Sequence, residues 1–205
     1  MLYSSTVTGT ELITSVKAEL PIVPLPPDAA FVRWLSSFEQ LVWSEVIRQE
    51  RRAETKVANG IIALDGIPVP EDEDGVQASD VCAVYLDGVQ AQHGNAEQGY
   101  LFSPECAVYR EDGARQLAVD GTENGISATL IYTVRPMRRA GTVADQTAVI
   151  ALPEEYIELA ASRLRGEAYR AANEDELAAK WLADYNARLE AFTAWCDRRR
   201  AGGVR

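Results

Sequence analysis

The sequence predicts an α+β protein: a helical bundle of about four helices carrying an inserted, small antiparallel β subdomain. The ends of the chain, 8–52 and 152–200, repeat apolar residues at the three-to-four spacing of amphipathic helices. Between them run short β-type stretches punctuated by Asp-Gly or Asn-Gly at 59/60, 65/66, 74/75, 87/88, 112/113, 120/121 and 124/125. Such dipeptides tolerate positive φ and form the corners of tight turns. The expected division is 1–56 for the N-terminal helices, 57–136 for the β-rich insertion, and 137–205 for a connector loop, a helical hairpin and a basic tail.

A first helix is expected over 8–20, where Thr8 and Glu11 have the spacing of a capping box and Leu12, Ile13, Val16 and Leu20 form the buried side. It stops at Pro21, and Pro21, Pro24, Pro26 and Pro27 hold the next segment extended, because proline fixes φ and disfavours helix in the residue before it. Asp28 then reads as the cap of a second helix reaching about Arg52, with Phe31, Leu35, Phe38, Leu41, Val42 and Val46 along one face. Arg48, Arg51 and Arg52 would close it, complementing the C-terminal dipole. Val32, Trp43 and Ile47 fall off the stripe, so either the bundle wraps this helix or another subunit covers them.

In the insertion, 81–86 turning at Asp87-Gly88 into 89–92 reads as one hairpin. A second is 106–110 turning at Asp112-Gly113 into 116–119, and 126–134 is a long alternating strand. Residues 71–74 read as a solvated acidic turn, because they lack the spaced oxygens of a calcium loop. Arg135, Arg138 and Arg139 fall at the start of a polar connector, exposed or touching an acidic neighbour.

The hairpin over 152–200 is the clearest local signal. Pro153 opens its first helix, Glu154 and Glu155 suit the N-terminal dipole, and Tyr156, Leu159, Ala160, Leu164 and Ala168 make the stripe. Asn173 with Glu176 reads as the capping box of the second helix, whose stripe is Leu177, Trp181, Tyr185, Leu189, Phe192 and Trp195 or Cys196. The corner between the two is short enough to force an antiparallel pair.

Composition narrows the function. A net charge of −11 opposes tight wrapping of nucleic acid, since that affinity comes from neutralising phosphates. No apolar run approaches the roughly 18–20 residues that span a bilayer, and the first eleven residues lack the basic start and apolar core of a signal peptide. Cys82, Cys106 and Cys196 are odd in number with no close pair, and read as free thiols buried as small hydrophobes in a reducing compartment. His93 is the only histidine, which removes two-histidine metal sites, and its Gly-Asn neighbours suggest an exposed loop. Neither a glycine-rich phosphate cradle nor a nucleophile elbow occurs. No catalytic residue, metal or cofactor is expected. The basic end, Arg198, Arg199, Arg200 and Arg205, reads either as a dipole-compatible helix end with a frayed tail or as a plug for an acidic partner.

The order of elements resembles the head-to-tail connector, or adaptor, proteins of tailed bacteriophages. The likeness is most specific where Ile131-Tyr132-Thr133-Val134-Arg135-Pro136 is followed by a loop and Leu152-Pro153-Glu154-Glu155-Tyr156. An Ala-rich helix then ends near Ala168-Tyr169, the acidic turn Asn173-Glu174-Asp175-Glu176 follows, and a helix over 181–200 with Tyr185 facing its neighbours completes the pattern. The resemblance implies a virion protein of the neck, made in the host cytoplasm. It would form a ring, commonly of twelve subunits, that links the portal protein to a downstream neck or tail protein around the DNA channel. DNA would be passing cargo, no membrane would be involved, and the C-terminal arginines would engage the portal. Val32, Trp43 and Ile47 would then be subunit-interface candidates. A stopper or tail terminator is the alternative, but those are expected to be mostly β; a small enzyme or regulatory module would need a deep pocket.

Overall fold

In the computed structural model, which describes residues 5–71, 73–94, 107–120 and 123–201, Thr8 opens the first helix as its capping-box spacing requires. Its hydroxyl accepts from Glu11 N at 3.2 Å, while the bonds that the Glu11 carboxylate accepts from Thr8 N at 2.8 Å and from the Thr8 hydroxyl at 2.9 Å hold that carboxyl below its usual range. Helix α1 spans Gly9–Glu19 and buries Leu12, Ile13 and Val16. The chain divides into two compact units, Met1–Ile47 with Arg138–Arg205, and Arg48–Met137.

In the first unit, α2 spans Asp28–Val42 and widens into a π turn over Trp43–Ile47. The expected extension to Arg52 does not occur. Arg48 takes φ 48°, a left-handed conformation that breaks the helical path, and Arg51 and Arg52 belong to a strand. The cap also differs: Pro27 occupies the cap position without a side-chain bond, and the Asp28 carboxylate pairs instead with Lys17.

A 3-10 turn over Glu154–Tyr156 leads into α3, Ile157–Ala171, and α4 follows over Asp175–Ala201. The corner between them is a Schellman motif: Glu174 N donates to Tyr169 O and Asn173 N to Arg170 O, with Asn173 at φ 61°. Asn173 is thus the left-handed terminator of α3, not the N-cap of α4 that its spacing to Glu176 suggests. Tyr156 meets Phe192, Ser162 donates to Asp184, and Gly166 lies against Leu182; positions rising in α3 meet positions falling in α4, so the pair is antiparallel. A Cβ built on Gly166 would sit 2.8 Å from the Leu182 side chain, so the glycine sets the spacing of the two helices. Gly166→Val is expected to destabilise the protein by roughly 1–3 kcal/mol through overpacking, read as a lower thermal midpoint.

The connector into α3 is pinned from within. Arg139 donates through Nε and Nη2 to the two Glu39 carboxylate oxygens at 2.6 and 3.0 Å, through Nη1 to Ala148 O at 3.0 Å, and through Nη2 to Val149 O at 2.9 Å. Only 7% of the Arg139 side chain and 2% of that of Glu39 are exposed. Of the two readings of this arginine, exposed or touching an acidic neighbour, the second holds, and the partner Glu39 lies in α2, a hundred residues upstream.

Among its described residues the second unit holds two four-stranded sheets. The first has the order β1-β8-β3-β4, from Glu50–Lys56, Ser127–Thr133, Val81–Leu86 and Val89–Gln90. The second is β2-β7-β6-β5, from Ile61–Ala63, Gln116–Asp120, Val108–Glu111 and Gln92–His93. Both expected hairpins and the long strand are present, and Asn59-Gly60 and Asp87-Gly88 take positive φ at both positions, as type I′ corners require. Among the described residues the strand pairings are antiparallel except that of β5 with β6, which run parallel. Ala128, Leu130 and Tyr132 alternate inward along β8.

Several polar expectations change in this unit. Glu73 is buried and paired with Arg51 rather than solvated. Arg135 pairs with buried Asp80, the acidic neighbour that its sequence reading allows. His93 lies in β5, exposed, with its ring edge-on to Tyr109 at 5.1 Å. Cys82 is exposed rather than buried, and Cys106 lies outside the described residues.

Candidate docking surface

The last turn of α4 gathers the basic residues that the sequence singles out. Arg198, Arg199 and Arg200 are all exposed and lie at the helix's C-terminal end, where positive charge complements the dipole. Arg205 lies outside the described residues. Beneath this turn sits an aromatic platform: Phe192 and Trp195 stack with centroids 5.7 Å apart, and Tyr156 tilts against both at 4.6 and 5.5 Å. The Arg199 guanidinium lies 4.4 Å above the Trp195 ring, a cation–π contact, and Arg200 pairs with Asp197. The turn therefore presents cations on a stiff, partly apolar base.

The sequence stripe named Trp195 only as a core alternative and missed its link to Arg199. The signal was available, since positions four apart on a helix stack one above the other.

Cys196, on the inner side of the same turn, is buried, and burial pushes its thiol up to about 11. Because the folded value lies above the ordinary 9.0, folding is favoured by the neutral thiol below that value, and the contribution is lost as pH rises from about 9 towards about 11. In a Cys82→Ser/Cys106→Ser variant, Cys196 is expected to resist a thiol reagent at pH 8 until denaturant opens the helical unit; fast labelling of the folded protein would refute this.

Val32, Trp43 and Ile47 are buried inside the chain, at 3%, 0% and 6% exposure. Trp43 Nε1 donates to Ala151 O at 2.8 Å, so the connector before α3 holds this ring. All three are thus covered within the single chain. A shallow groove of about 140 Å³ does open on the first unit, lined by Trp34, Phe38, Leu41, Arg163, Glu167 and Tyr185. Arg163 bonds Glu167 at 2.7 Å and lies 5.2 Å over the Tyr185 ring, whose phenol burial pushes above its usual range.

Among the described residues, no cluster of His, Cys, Asp and Glu is arranged to hold a metal ion, and no helix is long and apolar enough to cross a membrane. A family model described as SU10 adaptor protein matches residues 7–205. A search of curated proteins finds no match.

Proposed function

The chain belongs to the SU10 adaptor protein family, a family of structural phage adaptors, and from that membership we propose that it forms a ring beneath the portal and links it to the next neck or tail component. The observation that carries the docking reading is the exposed Arg198, Arg199 and Arg200 turn on its aromatic base. Fixed cations at a helix end suit a carboxylate-rich cleft, because charge-assisted bonds to arginine are strong and often bidentate. The helical first unit, with the 15-residue α3 packed along the 27-residue α4, favours an adaptor over a mostly β stopper or terminator. A net charge of −11 suits a conduit along which DNA moves without sticking.

The deciding measurement is the mass of the purified protein alone and mixed with portal, by light scattering or electron microscopy. A portal-bound ring, with twelve copies as the expected number, supports the reading. Protein that never joins a portal under any condition that preserves both folds would sink it.

A further inference from the structure

Strand β1 forms the rim of its sheet. It pairs with β8 from Glu50 to Lys56, and among the described residues no strand borders its other side. A strand edge offers a row of N–H and C=O groups to any chain that can match it, and folds usually guard such edges with bulges, proline or charge. The β1 edge is seven residues long, unbulged against β8 and free of proline, so charge is its guard.

The direction of the backbone groups follows from the ends of the strand. Val134 N donates to Gln49 O and Val57 N to Ile126 O, so the odd-numbered residues turn their backbone groups towards β8. The alternation of an antiparallel ladder then turns those of Glu50, Arg52, Glu54 and Lys56 to the open rim. These same four carry the exposed side chains of the strand.

Their charges form a palindrome. When a second β1 is laid antiparallel with Ala53 opposite Ala53, Glu50 faces Lys56 and Arg52 faces Glu54, in both directions, and every rim-directed backbone pair comes into register. Sliding by two residues one way sets Arg52 against Arg52 and Glu50 against Glu54; sliding the other way sets Glu54 against Glu54 and Arg52 against Lys56. In-register parallel pairing sets every charge against its like. One register is therefore favoured and its neighbours are repelled.

We propose that two copies of this chain pair β1 to β1 in that register, making one continuous sheet across a two-fold axis. Such a contact is isologous and closes on itself, so it joins chains that have not entered a ring and uses none of the α4 arginines.

The test is sedimentation of the full chain without portal, across a dilution series at low salt. The wild type is expected to dimerise. R52E sets carboxylates against each other at both symmetry-related positions, and should weaken the dimer roughly tenfold or more. R52E/E54R reverses both charges of each pair and should restore it. If circular dichroism shows R52E misfolded, K56E and its rescue E50K/K56E replace it. A wild type that stays monomeric at every concentration, a dimer indifferent to the single reversal, or a folded double variant that fails to recover would each overturn the proposal. Because no portal is present, none of these outcomes bears on the adaptor reading.

Discussion

Glu39→Ala is expected to cost the protein about 3–5 kcal/mol, the usual consequence of leaving one charge of a buried pair without its partner. The Arg139 guanidinium would remain inside the helical unit, still bound to the Ala148 and Val149 carbonyls but with no anion. Ala151 N, which donates to Glu39 Oε1 at 3.3 Å, would lose its acceptor as well. For a chain of this size the loss corresponds to a fall of roughly 6–20 °C in the thermal midpoint. Glu39→Gln keeps an acceptor and should cost less. A paired Glu39→Leu/Arg139→Met replacement removes both charges and should recover much of the loss, since two desolvated ions are exchanged for apolar volume. Thermal unfolding followed by circular dichroism reads all three. A Glu39→Ala protein as stable as the wild type would mean that the Glu39–Arg139 pair holds nothing in place.

The importance of that pair could not be read from the sequence, and the reason is physical. Glu39 falls within an α2 pattern that already explains itself as a helix, and Arg139 falls in a connector where exposed arginine is unremarkable. Only the tertiary path brings them within 2.6 Å. Arg51 with Glu73 and Arg135 with Asp80 repeat the case in the second unit. Signals contained within four or five residues were legible: the Thr8 capping box, the Asn59-Gly60 and Asp87-Gly88 corners, and the α3 stripe ending at Ala168. Where one residue serves two local grammars, the sequence leaves the choice open. Asn173 is as good a left-handed terminator as an N-cap, and the Schellman bonds to Tyr169 and Arg170 decide it. The end of α2 departs from its sequence pattern for a related reason. The chain from Arg48 on has acceptable helix formers, but β8 offers Glu50–Lys56 a full ladder, and pairing overrides propensity. At the candidate docking surface the arginines are legible in the sequence, while Tyr156, which completes the platform under them, comes from the far end of the hairpin and becomes visible only when α3 folds back on α4.

R198A/R199A/R200A should weaken portal binding by at least about a hundredfold, equivalent to roughly 2.7 kcal/mol. Bonds to charged groups contribute about 1.5–3 kcal/mol each when desolvated, so loss of two good contacts would suffice. The substitution should leave α4 intact. Arg198, Arg199 and Arg200 are exposed, the Arg200–Asp197 pair is a surface ion pair worth about 0–1 kcal/mol, and the Phe192–Trp195–Tyr156 rings keep one another while losing only the Arg199 contact at the surface. The all-lysine counterpart, R198K/R199K/R200K, separates two contributions. It preserves the charge that steers encounter but loses the planar fork and the stacking of Arg199 on Trp195, so the association rate should survive while dissociation quickens. Raising the salt should weaken the wild type more than the alanine variant, because only the former has cations to screen. Surface-bound portal with each variant in solution gives rates and affinities together. Equal affinity of the wild type and the triple alanine variant would remove the α4 terminus from the portal contact and return its arginines to the simpler role of complementing a helix dipole.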